Sequence, residues 1–301
     1  MADAATIAVA TGNDSERLDA ILRRTTTVLS DSTFDQWHIR LPGTRRRARL
    51  RLSAEWLNMS LPLRALDRSP DPELIGGMLD HNARLEGSAR IIGSGLRRQR
   101  QLVVDVPADL LPWDSESELE TLIAALLESI GTAVNVIGQP RAIRPQTPLP
   151  HEQLQETLDE AGWPAQAGEA ENLEGPLEVP LEVPGTYLAA RVRHDSRSTR
   201  LTVPILVDEL AAAPQECRNA VIVLLWLMAS HVRMVRAIRS RRALALEVSL
   251  LPGHASAAAL AHGCAALSAA LQQVATEAEL LAADDHLAQI YLSNLGLSTA
   301  A

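Results

Sequence analysis

Alternation of apolar and polar residues along residues 37–63 predicts a sheet with one covered face. The apolar positions are Trp37, Ile39 and Leu41, then Ala48, Leu50 and Leu52, then Leu57, Met59, Leu61 and Leu63. Because successive side chains of a strand point to opposite faces, this pattern predicts antiparallel strands that bury one face only. Pro62 cannot donate to a strand ladder, so we expect its strand to lie at an edge or to be bulged.

Apolar positions spaced three and four residues apart predict the helices around these strands. The first helix is expected to begin near Asn13, and its apolar stripe is formed by Leu18, Ile21, Leu22, Val28 and Leu29. A second helix is expected to open at Pro72. A hairpin over residues 91–106 follows, and a third helix is expected near Ser115, where Glu118 gives capping-box spacing.

The same succession of patterns occurs a second time and indicates a duplicated unit. Residues 49–52 and 59–63 correspond without a gap to residues 191–194 and 201–205, and Pro72 corresponds to Pro214 at the same offset. The helix around residues 221–228 is apolar on all sides. A helix of this kind must be covered on both sides, so we expect the two units to pack on each other near it.

These patterns predict an α+β fold of two tandem α-β-β-β-α-β-β-α units that form an internal pseudo-dimer. In each unit an antiparallel sheet is expected to pack against helices. The first unit is expected to span residues 13–137 and the second residues 150–295. Residues 1–12 are predicted to be a flexible tail, and residues 138–149, rich in proline and without periodicity, are predicted to be a linker.

The composition of the chain allows buried hydrophobic cores, and its net charge argues against nucleic-acid binding. The chain has 301 residues, of which 47% are apolar and 22% are charged. Such proportions are those of globular proteins. A net charge of −9 argues against general binding of nucleic acids.

The sequence also lacks the signals of export or membrane insertion. No secretory signal is visible at the start of the chain. The longest apolar run, residues 220–229, is too short for a membrane-spanning helix. We therefore expect a cytoplasmic protein without a membrane partner.

Motifs for catalysis, cofactor binding or metal binding do not stand out in the sequence, so no catalytic residue, cofactor or metal is predicted. The histidines lack the helical spacing of a metal site, and there is no Cys-x-x-Cys. We interpret His254, His262 and Cys264 as unrelated side chains, a shared metal being the alternative. Cys217 and Cys264 are interpreted as buried structural thiols, with a disulfide or redox pair as the alternative.

Arginine occupies the polar positions of the strand pattern in both units. The residues concerned are Arg47, Arg49 and Arg51, with Arg40 beside them, and Arg191 and Arg193 in the second unit. Because guanidinium groups bind carboxylates in a bidentate way, they suggest a surface for an acidic or extended peptide, the alternative being a solvated sheet face. Residues 152–182 contain several acidic residues but no basic residue. This segment is either a solvated connector or lies across the arginines and competes with a partner.

The order of elements resembles the class I type III secretion chaperone fold of the CesT-like and YbjN-like proteins. The matching features are the Pro72 helix after residues 59–63, the hairpin over residues 91–106 and the helix from Ser115. All three recur at Pro214, residues 232–250 and Ser256, so the resemblance covers nearly the whole chain twice. It implies a non-enzymatic, ATP-independent role in which an unfolded segment of a partner is held.

The leading hypothesis is therefore a peptide-binding adaptor or chaperone-like module, a monomer with an internal pseudo-two-fold axis or a weak homodimer. Its partner is expected to be a protein or an extended, acidic peptide. Expected apolar contacts are Trp37, Ile39, Leu57 and Met59, and expected polar contacts are Arg49, Arg51, Arg191 and Arg193. The alternatives are a scaffold subunit of a larger assembly and an enzyme of unrecognised type with a deep pocket of titratable residues.

Overall fold

The computed structural model describes residues 12–30, 35–93, 96–136, 149–167, 177–183, 186–195, 198–240, 243–251 and 253–297. The first half contains, in order, α1 (Gly12–Thr25), β1 (Thr27–Ser30), β2 (Gln36–Arg40), β3 (Arg47–Leu52), β4 (Trp56–Pro62), α2 (Pro72–Arg84), β5 (Arg90–Gly93), β6 (Arg100–Pro107), a 3-10 helix (Ala108–Leu110) and α3 (Glu116–Val136). The second contains α4 (His151–Glu160), β7 (Gln166–Ala167), β8 (Leu177–Val183), β9 (Thr186–His194), β10 (Thr199–Ile205), α5 (Val207–Ala212), α6 (Gln215–His231), β11 (Val235–Ser240), β12 (Ala243–Leu250), α7 (Ala257–Ala283) and α8 (Asp285–Asn294).

Each half forms one six-stranded sheet, and the two sheets have the same strand order. The first runs β1-β2-β3-β4-β6-β5, and the second, read in the same direction, runs β7-β8-β9-β10-β12-β11. All neighbouring strands are antiparallel. The predicted α+β class is confirmed, and the shared topology is what a duplicated unit requires.

Each unit has one strand more than the sequence pattern predicted. The helix α1 ends at Thr25, and Val28 lies in the extra strand β1, where it pairs with Ile39. The prediction that Val28 and Leu29 continue the helical stripe was therefore wrong. A run of threonines followed by Val28 explains the change, because β-branched side chains favour a strand over a helix.

The prolines inside the strands do not mark edge strands, which corrects the prediction for Pro62. The strand β4 lies between β3 and β6. Its ladder with β3 ends at Ser60, two residues before Pro62, and the ladder of β10 with β9 ends at Thr202, two residues before Pro204. At each proline the strand is therefore paired with one neighbour only. The missing N–H breaks no hydrogen bond on the unpaired side.

Several helix boundaries follow the capping chemistry in the sequence. Ser256 caps α7 by accepting a hydrogen bond from the Ala259 N–H at 3.2 Å. The predicted last helix is divided at Asp284, whose carboxylate accepts from the N–H groups at the start of α8. The short α5 was also not predicted. The proposed tail lies outside the described residues except for Gly12, and the proposed linker does so except for Leu149.

The buried apolar side chains form one continuous cluster that runs through both halves of the molecule. In the first half α3 packs against β6, and α1 packs against β1 and α3. The helix α6 contacts α2 and β5 of the first unit on one side and α7 and α8 on the other. Leu225 in this helix is completely buried. The expectation that this apolar helix lies where the units pack together agrees with these contacts. None of the described helices combines the length and apolar character needed to cross a bilayer.

Candidate functional site

Two buried arginines link the units reciprocally. Each reaches the end of the other unit's central helix, which is α2 in the first unit and α6 in the second. Arg90, at the start of β5, donates to the carbonyl oxygens of Ala229, Val232 (3.1 Å) and Val235 (3.0 Å), at and beyond the end of α6. Because the carbonyl end of a helix carries partial negative charge, a guanidinium is favourable there.

Arg236 of β11 makes the equivalent contacts in the opposite direction. It donates to the carbonyl oxygens of Leu85 (3.1 Å), Gly87 (3.3 Å) and Ala89 (2.9 Å), just beyond α2. Burial lowers the pKa of Arg236, and the neighbouring carboxylate of Glu247 opposes that shift. The two arginines therefore bind carbonyl groups at or just beyond the ends of α6 and α2, across the contact between the two units, which we call the seam.

A carboxylate on the neighbouring strand accompanies each of these arginines. Arg90 binds Asp105 Oδ2 at 2.8 Å, and Arg236 binds Glu247 through Nε at 2.9 Å and through its terminal nitrogen. Asp105 and Glu247 are related by the offset that relates Arg49 to Arg191. Sequence reasoning missed these pairs, although a carboxylate inside an otherwise apolar strand, at the same place in both copies, was a signal for them.

A third arginine crosses the seam at the middle of α2. Arg239 forms a bidentate ion pair with Asp80 at 2.8 and 2.6 Å. Its guanidinium lies against Gly76, where an added Cβ would come within 2.8 Å of the Arg239 Cζ. An alanine at position 76 would therefore require the Arg239 guanidinium to shift. Asn82, further along the same helix, donates to the Ala237 carbonyl at 3.2 Å and so adds a neutral contact.

Twin polar clefts open where the outer face of each sheet meets the end of the other unit's central helix. The first has a volume of about 380 Å³ and the second about 430 Å³. Asp105 lies in the wall of the first and Glu247 in that of the second. Arg51 and Arg193, which correspond in the repeat, line the first and second cleft respectively. The clefts are thus pseudo-symmetric, and each contains a predicted site arginine.

The outer face of the first sheet is cationic and exposed. Arg47, Arg49 and Arg51 of β3 are exposed, while the residues between them are buried. Arg40 of β2, also exposed, pairs in register with Arg47. Within the described part of the chain, none of these four guanidinium groups forms an ion pair. The predicted contacts Arg49 and Arg51 therefore lie on one accessible face.

Arg233 extends this positive surface at the rim of the first cleft. Its guanidinium lies 5.1 Å from the Trp56 ring centroid, in a cation–π arrangement, and 3.6 Å from Asp105 Oδ1. Asn58 also donates to Asp105 Oδ1, at 2.9 Å. Together with Arg90, three groups of the protein therefore already bind the Asp105 carboxylate in the wall of this cleft.

The second sheet presents its arginines in a different environment. Arg191 and Arg193 are exposed, but Arg191 binds Glu178 of the neighbouring strand β8 at 3.3 Å. Glu86, Asp195 and Glu247 also line the second cleft. The acidic segment of the sequence thus supplies a partner to the arginine of its own unit. Residues 168–176 of that segment lie outside the described residues.

The four apolar side chains predicted to contact a peptide are core residues instead. Trp37, Ile39, Leu57 and Met59 all have 0% exposure. The indole N–H of Trp37 donates to Asp19 Oδ1 at 2.9 Å, so its one polar side-chain atom is bound as well. They lie on the covered face of the sheet, opposite the face that presents the arginines of β3, and this conformation offers none of them to a partner.

The residues considered for redox or metal chemistry are dispersed. Cys217 and Cys264 are buried free thiols, and burial raises the pKa of both, that of Cys264 to about 12. His262 contacts Asp109 through Nε2 at 2.9 Å. Among the described residues, no group of three histidine, cysteine or acidic side chains is placed to hold a metal ion. The cysteines therefore behave as small apolar residues.

A larger cavity of about 640 Å³ also lies between the units, and Asp105 lines both this cavity and the first cleft. Its walls are mostly apolar and come from β6, α3, β12 and α7. His194, Ser249 and His254 are among its few polar residues, and His194 Nδ1 contacts Thr199 Oγ1 at 2.6 Å. Burial lowers the pKa of His254. The sequence did not indicate this cavity, because its walls come from both units.

Comparison of the chain with protein-family models, curated proteins and solved structures gave no match. The resemblance to secretion chaperones therefore stays a hypothesis, and the residues themselves must carry any functional argument.

Proposed function

We propose that this chain is a non-enzymatic binding protein that holds an extended, acidic segment of a partner, as an adaptor or ATP-independent chaperone does. The observation that carries the proposal is the outer face of the first sheet. There the exposed residues Arg40, Arg47, Arg49 and Arg51 form a group without ion pairs among the described residues. Concentrated, unneutralised positive charge on a protein with a net charge of −9 favours an anionic partner.

The spacing of these arginines suits an extended peptide. Arg47, Arg49 and Arg51 occupy alternate positions of β3 and therefore repeat along one face of the strand. A peptide running along β3 in extended form, with an acidic residue at every second position, repeats the same distance. Each carboxylate then meets one guanidinium, which is the pairing that arginine makes best.

Neighbouring strands supply polar groups beside this row. His38 of β2 and Ser60 of β4 lie directly opposite Arg49 in the sheet register, and Asn58 lies opposite Arg51. The Asn58 amide already donates to Asp105 Oδ1. His38 and Ser60 add no negative charge, so both tolerate an anion beside Arg49.

Addition of a strand to the sheet edge is a weaker way to bind the same segment. The outermost strand β1 has four residues, and its pairing with β2 is irregular between Val28 and Ser30. Short, irregular edges offer few main-chain hydrogen bonds. The side-chain face of β3 is accordingly the favoured binding surface.

The test is binding of a labelled peptide that alternates glutamate with valine, followed by fluorescence anisotropy at low and high salt. Arg49→Glu is expected to weaken binding about tenfold, because it removes one charge-assisted pair and adds a repulsion. The matched control is Arg191→Glu, the corresponding change in the second unit, which should leave the affinity unchanged. High salt should weaken binding to the native protein.

Two results would contradict this proposal. One is equal affinity for a peptide in which glutamine replaces every glutamate, because recognition would then not depend on charge. The other is an equal loss in Arg49→Glu and Arg191→Glu, which would show a general effect of net charge and not a site on the first sheet.

A further inference from the structure

The cavity between the units contains a buried polar atom that the protein leaves unsatisfied. Ser249 of β12 is 4% exposed and lines the cavity, and its hydroxyl has no hydrogen-bond partner within the described part of the chain. A buried hydroxyl without a partner costs free energy, and such atoms are rare in folded proteins. Neighbouring protein atoms cover this oxygen, so a ligand can reach Ser249 Oγ and remove that cost once the side chain rotates about χ1.

The rest of the cavity is suited to a hydrocarbon body. The first unit contributes Val106, Leu110 and Leu122 to its wall, and the second contributes Leu250, Leu251 and Ala259. Its volume is about 640 Å³. That volume lies within the range of small-molecule sites, which are mostly apolar with a few placed polar groups. The two walls belong to different units, so an occupant would contact both.

The charges around the cavity favour a neutral occupant. Asp105 is the one formally charged residue among its described lining residues, and Arg90 and Asn58 already bind its carboxylate. An anion would meet that carboxylate, and a cation would compete with Arg90. His254 is half-buried, and burial lowers its pKa, which favours its neutral form.

The backbone at the cavity wall is also unusual. Met234, which lines the cavity, has a positive backbone dihedral φ of +65°. This left-handed conformation is one that residues with side chains rarely adopt. Strained residues of this kind concentrate at ligand sites, where the surrounding structure maintains them. It is a second observation, independent of Ser249, that distinguishes this wall.

We propose that this cavity binds a neutral small molecule with a largely hydrocarbon body and one hydrogen-bonding group that contacts the Ser249 hydroxyl. This site is separate from the peptide surface on the first sheet and does not depend on it. Because the ligand contacts both units, its binding is expected to stabilise the whole chain.

The test uses the full chain and Nile red, an uncharged apolar dye with a carbonyl group that accepts a hydrogen bond. Saturable binding to one site, read from dye fluorescence, and a rise in melting temperature are expected. Ala255→Trp, at a half-buried cavity position, should fill the space and abolish binding while the chain stays folded. Ala259→Leu is the second filling variant should the tryptophan prevent folding.

Ser249→Ala separates the hydrogen bond from the general shape of the cavity. It should weaken dye binding about fivefold, while the unliganded protein melts at the same or a higher temperature because an unpaired hydroxyl is gone. The matched control is Ser268→Ala, which removes a hydroxyl bonded to the Glu182 carbonyl at 3.2 Å, away from the cavity. This control should lower the melting temperature and leave dye affinity unchanged.

The proposal is overturned if the native chain binds no dye, or if the filled variants bind it as well as the native chain does. Unchanged affinity in Ser249→Ala would overturn the assigned contact.

Discussion

The two sheets have the same strand order, but their outer faces differ in charge. In the first, Arg47, Arg49 and Arg51 are exposed without an ionic partner among the described residues. In the second, Arg191 is bound to Glu178 of the acidic strand β8, and further carboxylates line the nearby cleft. The two units therefore share a strand order and differ in surface charge. We propose the first sheet as the surface for an acidic partner for that reason.

The central helices differ in the same way. The helix α6 is apolar and buried along most of its length, whereas α2 carries Asp80, Asn82 and two glycines. The polar groups of α2 form bonds to β11 of the second unit. One helix therefore provides the apolar centre of the shared core, and the other provides specific polar contacts across the seam.

The largest effect is expected from a charge placed in α6. Leu225→Asp puts an unpaired carboxylate at a completely buried position. This should cost at least about 5 kcal/mol and leave the chain unfolded or insoluble. Leu280→Asp, the same change at a position that is 55% exposed, is the control and should unfold normally. Solubility and thermal melting measure both. A native-like melt of Leu225→Asp would show that α6 does not lie in a shared core.

The two buried arginines, Arg90 and Arg236, are expected to differ in how much they contribute to the stability of the chain. Arg236→Met leaves Glu247 buried without a cation and should cost about 3–5 kcal/mol in urea unfolding. Arg233 lies 3.6 Å from Asp105 and can turn towards it when Arg90 is lost. Arg90→Met should therefore cost less than Arg236→Met, by about 1–2 kcal/mol.

The double variant Arg236→Met/Glu247→Leu should recover part of the lost stability, because it removes the uncompensated charge as well. Equal losses for Arg236→Met and Arg90→Met would show that Arg233 does not compensate for Arg90.

A smaller effect is expected at the paired glycines of α2. A side chain at Gly77 meets open space, so Gly77→Ala should stabilise the helix by up to about 1 kcal/mol. Gly76→Ala gains the same helix propensity but displaces Arg239 from Asp80. The loss of that charge-assisted pair should make it less stable than Gly77→Ala, by roughly 1 kcal/mol. Chemical denaturation of both variants measures the difference. Equal stability would mean that the Arg239 ion pair contributes little.

The smallest expected effect is a change of stability with pH, and it arises in the second unit alone. His254 has a pKa lowered by burial, and residues 111–113 at the corresponding place in the first unit, Leu-Pro-Trp, do not titrate. The unfolded chain takes up a proton at His254 near pH 6.5, where the folded chain does not, so stability should fall as the pH drops below that value. His254→Gln should reduce this slope in melting experiments from pH 7.5 to 5.5, and an unchanged slope would assign it to other groups.

Local patterns predicted most of the fold correctly. Alternation located β2, β3 and β4, and the repeat of that pattern located β9 and β10. Errors arose where a strand has no pattern of its own: β7 has two residues, and β1 follows a helix with a continuing apolar stripe. Such strands form because a neighbouring strand offers hydrogen-bonding partners, which is information outside the segment.

The candidate site was only half predictable for a related reason. Alternation fixed that Arg49 and Arg51 share one face, and it fixed equally that Trp37 and Met59 share the other. It also predicts that the apolar face is covered, but it does not state whether helices of the chain or a partner cover that face. The structure decided that the apolar face is core, so the proposed apolar contacts were lost and the arginines remained.

The sequence by itself determined most of the elements, the internal repeat and the division of strands into a polar and an apolar face, because these depend on residues close along the chain. Only the tertiary structure decided the reciprocal contacts of Arg90 and Arg236, the twin clefts and the cavity at Ser249. Each of these joins residues far apart in sequence through the packing of one unit on the other, and no local periodicity encodes how two surfaces meet.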